Sequence, residues 1–499
     1  MENVINCINK FISRFSKVVI VIWFTIILIG MICFNSVYLY IDAPEIRLNS
    51  INNYLAIVVC IVGIAIMFLI RKKMDIKKIN IPSKWRKIIF CIAFLTYFIL
   101  EVVYIKIIPL KPFSDMESVC KIAMSNFAEG IAYLQIYPNN LPITLLFNLI
   151  FRITIYDVIV IKILNIICNI LTIYFAYKTF KNLYKKESVF VLVFGLTYIP
   201  VMLYVNNVYN DLIFTTLTTI ILYQLTKEKK KKFDFLFTAI LLFIQYSIRP
   251  VGIILIIAAE MYYLFKEKNW KKFLFVIVIF VSFSIVWGQV EKNIIPKSNE
   301  VKKYPIWSFI QMGINEKEYG FQDGSHSAEW TSNGVIERIK ELGPKRLVKL
   351  VSKKMYWQWT EGTYQVERYA FGIWRNQHEY ETFATQEVSD IENSKVRKTL
   401  EYVMKGQYFV MIGLSLIGIL VEKEEKKLNE KRDLLFYFII GMFCFYVIWE
   451  MKSRYIYCLY PVFLILAVNG FEELYRKKLG LSPNKMGERK KLKWENSKE

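Results

Sequence analysis

The sequence has few charged residues and almost no histidine. Charged residues make up only 21% of its 499 residues, histidine occurs twice, and hydrophobic residues reach 55%. A water-soluble fold of this length could not bury so much apolar surface, and the same figures exclude intrinsic disorder, collagen and coiled coils. We therefore predict an all-α polytopic membrane protein.

Cysteine occurs in no metal-binding or disulfide pattern. The eight cysteines form no CxxC motif and none is paired with histidine, so neither a disulfide framework nor a zinc site is indicated. No cofactor is predicted, and the sequence implies no divalent metal. A cleavable signal peptide is not expected. The first apolar run, 18–41, has no charge and no small-residue cleavage pattern, and it is long enough to span a bilayer.

The apolar runs predict twelve membrane-spanning helices. They lie near 18–41, 51–70, 88–108, 157–177, 188–206, 208–226, 233–248, 250–265, 273–290, 405–421, 433–449 and 455–471. With this number of helices, every cluster of Lys and Arg falls on one side of the membrane, which the positive-inside rule identifies as the cytoplasm. The formal charge of +23 is then a topology signal rather than a sign of nucleic-acid binding. Both termini are predicted to be cytoplasmic.

The polar segments divide the chain into five parts. Residues 1–87 hold two N-terminal helices and a basic cytoplasmic loop, and residues 88–290 form a transmembrane core with an external loop at 109–156. Residues 291–404 are predicted to form a small external domain, because so long a loop without structure would be unusual. C-terminal helices at 405–475 and a basic cytoplasmic tail at 476–499 complete the chain.

Two short helices are predicted in the first external loop. The first begins at Ser114, with Glu117 at capping-box spacing, and the second begins after Asn140 and lies in the membrane interface because its polar face is narrow. Asp115 lies in the first turn of the first helix. It is either a further capping acid stabilised by the helix dipole or a functional carboxylate at the membrane surface, and the spacing leaves both interpretations open.

The order of these motifs resembles the GT-C membrane glycosyltransferases. An acidic motif after an early span, a short helix, a Tyr-Pro segment and an interfacial helix look like the dolichyl-phosphate-mannose protein mannosyltransferases and the bacterial lipid A aminoarabinose transferases. Four further segments are similar to that pattern: NNVYNDLIFTT at 206–216, SIRP at 247–250, WSFIQMGINEKEYGFQDG at 307–324 and WEMKSRYIYCLYPVFLILAVNG at 449–470. The similarity spans most of 88–475. Many relatives carry an adjacent Asp-Glu pair, whereas Met116 separates Asp115 from Glu117 here.

The resemblance implies transfer of a sugar from a polyprenyl-phosphate donor to an acceptor hydroxyl outside the cytoplasm, with inversion at the anomeric carbon. Asp115 is the candidate general base, and Glu117 and Asp211 are possible second carboxylates. Arg249 and Arg454 are candidates for binding the donor phosphate, since a guanidinium binds phosphate through two parallel hydrogen bonds. Abundant Ile, Lys and Asn indicate an AT-rich bacterial genome, a plasma-membrane location and undecaprenyl phosphate as the carrier.

Each candidate also has a purely structural interpretation. Arg249 and Arg454 could be interfacial anchors, and Asp211 could be a first-turn acid of its helix. Lys162 is expected to snorkel from a helix end, and the Trp-rich stretch at 355–362 is expected to contact the membrane. Other polar residues receive no catalytic role: Glu101, His326 and His378.

Two other functions fit the topology. A polysaccharide polymerase or ligase acting on undecaprenyl-linked glycans also has many helices and a large external loop, but the early acidic loop favours the transferase. A transporter or flippase would show internal repeats and charges near the bilayer midplane, and no repeat is apparent. The sugar and the acceptor, whether a teichoic acid, another envelope glycan, a lipid or a protein, stay open.

Overall fold

Long apolar runs become helices throughout the chain. The computed structural model describes residues 2–38, 44–76, 82–230, 233–296, 303–321, 331–372, 375–421 and 426–478. In these ranges, twenty α-helices and one two-stranded hairpin account for nearly all regular structure. The predicted all-α polytopic membrane fold is confirmed.

The N-terminal pair of helices is joined by a β-hairpin. Helix α1 (Glu2–Cys33) leads into β1 (Phe34–Tyr38), which pairs antiparallel with β2 (Pro44–Leu48) before α2 (Ile51–Ile76) begins. The first span was predicted to continue to residue 41, and this end is wrong. The chain leaves the helix at Cys33 because the strand gains partners there, including the indole of Trp357, which donates a 2.9 Å hydrogen bond to the carbonyl of Val37.

The loop after the third helix contains three short helices. Helix α3 (Ser83–Ile107) is followed by α4 (Asp115–Met124), α5 (Ile131–Ile136) and α6 (Leu141–Ile153). The two predicted helices correspond to α4 and α6. Helix α5 is additional and begins after Gly130, whose φ of 75° turns the chain in a conformation that glycine adopts without strain.

The core contains seven more helices, several of them short. They are α7 (Ile159–Tyr184), α8 (Phe190–Leu196), α9 (Ile199–Leu203), α10 (Asp211–Thr226), α11 (Asp234–Ile248), α12 (Ile253–Met261) and α13 (Trp270–Ile294). The predicted span at 188–206 is broken between α8 and α9, because Pro200 lies in the first turn of α9 and cannot continue the preceding helix. The predicted span at 250–265 begins as a 3-10 turn and ends in a π-helical turn.

The large segment at 291–404 is also helical where it is described. It contains α14 (Ile306–Gly313), α15 (Ser332–Thr360), α16 (Val366–Tyr369) and α17 (Phe383–Ser389), and α18 (Lys395–Leu420), α19 (Lys426–Ile448) and α20 (Tyr460–Lys478) follow. Helix α18 begins about ten residues before the predicted span, at a Ser394 side chain that caps the amide of Arg397. His326 lies outside the described residues.

Seven helical segments among the described residues are long and apolar enough to cross a membrane. They are Cys7–Cys33, Ile51–Asp75, Lys87–Ile107, Ile159–Tyr184, Trp270–Ile294, Lys395–Leu420 and Ser453–Lys477. Two shorter apolar helices, Asp211–Thr226 and Asp234–Ile248, accompany them. The other predicted spans correspond to α8–α9, α12 and α19.

The helix ends form two chemically distinct regions. At one, here called the loop end, the Asn206 amide donates hydrogen bonds to the carbonyls of Ile108 and Ala370, and Leu110 pairs with His378. At the other, the basic end, the Lys clusters meet acidic partners in the pairs Lys185–Glu228, Lys186–Glu473, Lys230–Glu267 and Lys266–Asp433. The predicted cytoplasmic clusters thus lie near one another, and the orientation of this end in the cell stays a prediction.

Candidate functional site

Asp115 begins α4 at the loop end and is half-buried. The predicted capping box is wrong. Ser114 has a φ of 53° and its side chain makes no capping hydrogen bond, while Ser114 and Glu117 are both exposed. Asp115 instead bonds outside its own helix, where its Oδ1 accepts a 3.0 Å hydrogen bond from the hydroxyl of Tyr133. The acid therefore has a tertiary partner that a simple helix cap would not need.

A continuous chain of hydrogen bonds extends from Asp115 through the loop end. The Asn140 Nδ2 donates to the Tyr133 hydroxyl at 2.7 Å, and the Tyr209 hydroxyl donates to Asn140 Oδ1 at 2.7 Å. Asn140 and Tyr209 are buried. These three residues come from α5, the turn before α6 and the loop before α10, so the chain joins parts of the protein that are distant in sequence.

Charged groups surround the hydroxyl of Tyr209. Burial raises the pKa of Tyr209, and the nearby carboxylates of Asp115 and Asp211 raise it further, while Arg454 and Arg249 act in the opposite direction. The guanidinium carbon of Arg454 lies 5.6 Å from the centre of the Tyr209 ring. Tyr209 thus lies among all the predicted site residues except Glu117.

Arg454 is a buried cation that lies among aromatic rings. Arg454 is the second residue of the last membrane span, Ser453–Lys477, and is 6% exposed. The guanidinium carbon lies 4.3 Å from the ring centre of Tyr369 and 5.5 Å from that of Tyr455. No carboxylate in the described part of the chain forms an ion pair with it, and its buried Nε has no hydrogen-bond acceptor there. An anion entering this site would find a guanidinium that has no ion-paired carboxylate among the described residues.

Arg249, by contrast, forms an ion pair with Asp211. Its Nη1 lies 2.6 Å from Asp211 Oδ1, and the two side chains are 14% and 1% exposed. The other Asp211 oxygen accepts a 2.9 Å hydrogen bond from the amide of Asn207. Asp211 therefore has two partners inside the protein. The two predicted arginines differ, because Arg249 is paired with a carboxylate and Arg454 is not.

Two further cations near Tyr369 were not predicted from the sequence. Arg368 donates a hydrogen bond to the Tyr38 hydroxyl, and its guanidinium carbon lies 5.7 Å from the Tyr369 ring centre. The Nζ of Lys452 is 3.8 Å from the Glu450 carboxylate. Burial raises the pKa of Tyr369, but Arg454, Arg368 and Lys452 together bring it below its ordinary value. Three cations therefore act on Tyr369 at the loop end.

The remaining polar residues have mainly structural contacts. The Lys162 Nζ donates a 2.7 Å hydrogen bond to the Leu110 carbonyl and is buried, so the predicted snorkelling is wrong. Buried His378 contacts the Phe371 carbonyl through Nε2 at 2.6 Å. Glu101 is buried in α3.

The Trp-rich stretch does not contact the membrane. Trp357 and Trp359 are fully buried. Trp359 packs edge-on against Trp23 of α1, with ring centres 6.2 Å apart. Because the N-terminal helices and hairpin cover both indoles, the predicted membrane contact is wrong.

The comparison with protein families agrees with this arrangement. Residues 142–288, less than a third of the chain, match the family model of the dolichyl-phosphate-mannose-protein mannosyltransferases. This match supports a place in the GT-C mannosyltransferase-like superfamily. At the family level the match supports a membrane glycosyltransferase that uses a lipid-linked donor, which disfavours a transporter. No curated protein and no solved structure matches the chain.

The matched region contains part of the site. Tyr209, Asp211 and Arg249 lie within 142–288, whereas Asp115 and Arg454 lie outside it. Within the described ranges, no three His, Cys, Asp or Glu side chains cluster as metal ligands would.

Proposed function

We propose that this GT-C glycosyltransferase moves a sugar from a polyprenyl-phosphate donor to a hydroxyl of an envelope acceptor. The reaction takes place at the loop end, on the outer face of a bacterial plasma membrane. One observation carries the proposal: the carboxylate of Asp115 and the unpaired guanidinium of Arg454 lie at the same end of a membrane helix bundle, joined through Tyr209.

Asp115 has the chemistry and the access required of a general base. Tyr133 occupies Oδ1, which leaves Oδ2 to accept the proton of the acceptor hydroxyl as its oxygen attacks the anomeric carbon. The side chain is only half-buried, so an acceptor can reach it. The leaving group is a phosphate that departs without protonation, so one carboxylate is sufficient and the transfer inverts the anomeric configuration.

Two arginines near Tyr369 are available to a phosphodiester donor. Asp211 neutralises Arg249, and Glu450 lies beside Lys452. Arg368 and Arg454 have no ion-paired carboxylate among the described residues, so a sugar phosphodiester would bring its negative charge to two unpaired cations. Arg454, with Arg368 beside it, is therefore the primary phosphate site in this proposal, and Arg249 is a second candidate.

A transfer assay with defined donors tests the proposal. The full-length protein in liposomes is given radiolabelled sugars on undecaprenyl phosphate, one sugar at a time, together with envelope extracts as acceptors. We expect transfer from at least one monosaccharide donor, with inverted configuration in the product. Polymerisation of undecaprenyl-diphosphate glycans without any transfer from the monophosphate donors would instead establish the polymerase or ligase function.

A further inference from the structure

The hydrogen-bonded chain at the loop end consists of side chains to which the proposed reaction assigns no role. We propose that Tyr133, Asn140 and Tyr209 are positioning residues that orient Asp115 and couple it to the donor site. The inference rests on the proposed roles of Asp115 and Arg454. It goes beyond them by stating how the base and the phosphate-binding residue act together.

The direction of the hydrogen bonds follows from the Asp115 end of the chain. A carboxylate can only accept hydrogen bonds, so the Tyr133 hydroxyl must donate to it. The Tyr133 oxygen is then free to accept from the Asn140 amide nitrogen, and the Asn140 carbonyl oxygen accepts from Tyr209. All three donors therefore point toward Asp115, and Tyr133 fixes the orientation of Oδ1.

Because the residues are buried, water cannot easily replace these hydrogen bonds. Asn140 and Tyr209 are buried, and the backbone carbonyl of Asn140 also accepts a 2.8 Å hydrogen bond from the Thr144 hydroxyl. Burial raises the pKa of Tyr133, and the neighbouring Tyr209 and Asp115 raise it further, so Tyr133 stays a proton donor at physiological pH. If one of these hydrogen bonds broke, a buried donor would be left unsatisfied. The free-energy cost of that loss keeps the hydrogen-bonded chain intact.

Tyr209, at the far end of the hydrogen-bonded chain, contacts the donor site. The ring of Tyr209 lies 5.6 Å from the Arg454 guanidinium, while its hydroxyl bonds Asn140. Arg454 can bind a phosphate only by adjusting its contacts with the surrounding rings, and Tyr209 is one of them. A shift of Tyr209 is passed through Asn140 and Tyr133 to the carboxylate, so donor binding and base orientation are linked.

The infrared spectrum of the Asp115 carboxylate tests the hydrogen-bonded chain without requiring turnover. Infrared difference spectra between the wild-type protein and Asp115→Asn identify the stretching bands of this carboxylate. In Tyr133→Phe, which keeps the ring and removes the donor, we expect these bands to shift, because the hydrogen bond to Oδ1 is lost.

Tyr137→Phe is the matched control. Tyr137 directly follows α5, and its ring centre lies 5.2 Å from that of Tyr133. Its hydroxyl is not part of the hydrogen-bonded chain, so the carboxylate bands of Asp115 should not move. In Tyr209→Phe the ring stays beside Arg454 and only the bond to Asn140 is lost, so we expect a smaller shift of these bands.

Kinetics separate the failure of this inference from the failure of the proposed function. We expect Tyr133→Phe to lower kcat about ten- to a hundredfold, with the donor KM within about twofold of wild type. Unchanged carboxylate bands of Asp115 in both Tyr133→Phe and Tyr209→Phe would overturn the positioning roles, even if Asp115→Asn were inactive. Full activity of Asp115→Asn would instead overturn the base assignment itself.

Discussion

At the scale of single residues, the two predicted phosphate-binding arginines lie in different electrostatic surroundings. Arg249 is neutralised by Asp211, whereas Arg454 contacts aromatic rings. A ring stabilises a guanidinium by about 0.5–2 kcal/mol, less than a well-placed anion does. Arg454 therefore gains more from an incoming phosphate, and the two arginines should respond differently to mutation.

Arg454→Gln should weaken donor binding while the protein stays folded. Losing a charge-assisted hydrogen bond costs about 1.5–3 kcal/mol, which corresponds to roughly ten- to a hundredfold in apparent affinity. The measurement is a titration of the protein in nanodiscs with the polyprenyl-phosphate sugar. Donor affinity equal to wild type would return Arg454 to the role of an interfacial anchor.

Arg249→Gln should act mainly on stability. It leaves the buried Asp211 carboxylate without its cation, and breaking a buried pair in this way costs about 3–5 kcal/mol. Thermal unfolding in detergent should show this loss, and the double variant Arg249→Gln/Asp211→Asn should recover much of it. If Arg249→Gln kept its stability and lost donor affinity, Arg249 would be the phosphate ligand.

At the scale of helices, glycines set the closest packing in the C-terminal bundle. A Cβ added to Gly470 of α20 would lie 1.9 Å from the Leu414 carbonyl oxygen of α18, and one added to Gly418 would lie 2.6 Å from the Leu466 carbonyl oxygen. The two backbones approach each other through small residues, as is common for helices in membranes. Helix α20 helps to place Arg454, which lies in the 3-10 segment Ser453–Leu459 directly before it.

Gly470→Ala should push α18 and α20 apart. The added methyl group meets backbone atoms that cannot move aside, so we expect a destabilisation of about 1–3 kcal/mol in thermal unfolding. Gly63→Ala is the control, because nothing lies within 4 Å of a Cβ at that position in α2. If Gly470→Ala and Gly63→Ala were equally stable, the close approach of α18 and α20 at Gly470 would not be maintained in the protein.

The sequence predicts these helices better than it predicts their interruptions. Apolar length and positive charge indicate where α2, α3 and α13 lie. The hairpin after Cys33 depends on partners such as Trp357, which is more than three hundred residues away from the strand that it contacts. A local apolar run contains no information about such partners.

The same reason explains which parts of the site could be predicted. Asp115 and Arg454 stand in charged motifs that resemble a family pattern, so each can be selected from the sequence alone. Tyr133, Asn140 and Tyr209 are uncharged loop residues of common types, and only their convergence in space gives them significance. A signal was present in NNVYNDLIFTT, which places Tyr209 two residues before Asp211.

At the scale of the whole molecule, the loop end and the basic end are predicted to lie on opposite sides of the membrane. In a cysteine-free background, a cysteine at Asn333 should react with a membrane-impermeant thiol reagent in intact cells. One at Lys229 should react only after lysis, because the basic end is predicted to be cytoplasmic. Both side chains are exposed. Labelling at position 229 in intact cells would reverse the orientation and place the proposed site inside.

The rate of sugar transfer by Asp115→Asn tests the central claim most directly. Asn keeps the shape of the side chain and an oxygen that can accept from Tyr133, but it cannot take up the acceptor proton. We predict a loss on the order of a hundredfold or more, with abundance and donor binding retained, and near-normal transfer by the exposed control Glu117→Gln. Wild-type turnover by Asp115→Asn would contradict the account and make Asp211 the next carboxylate to test.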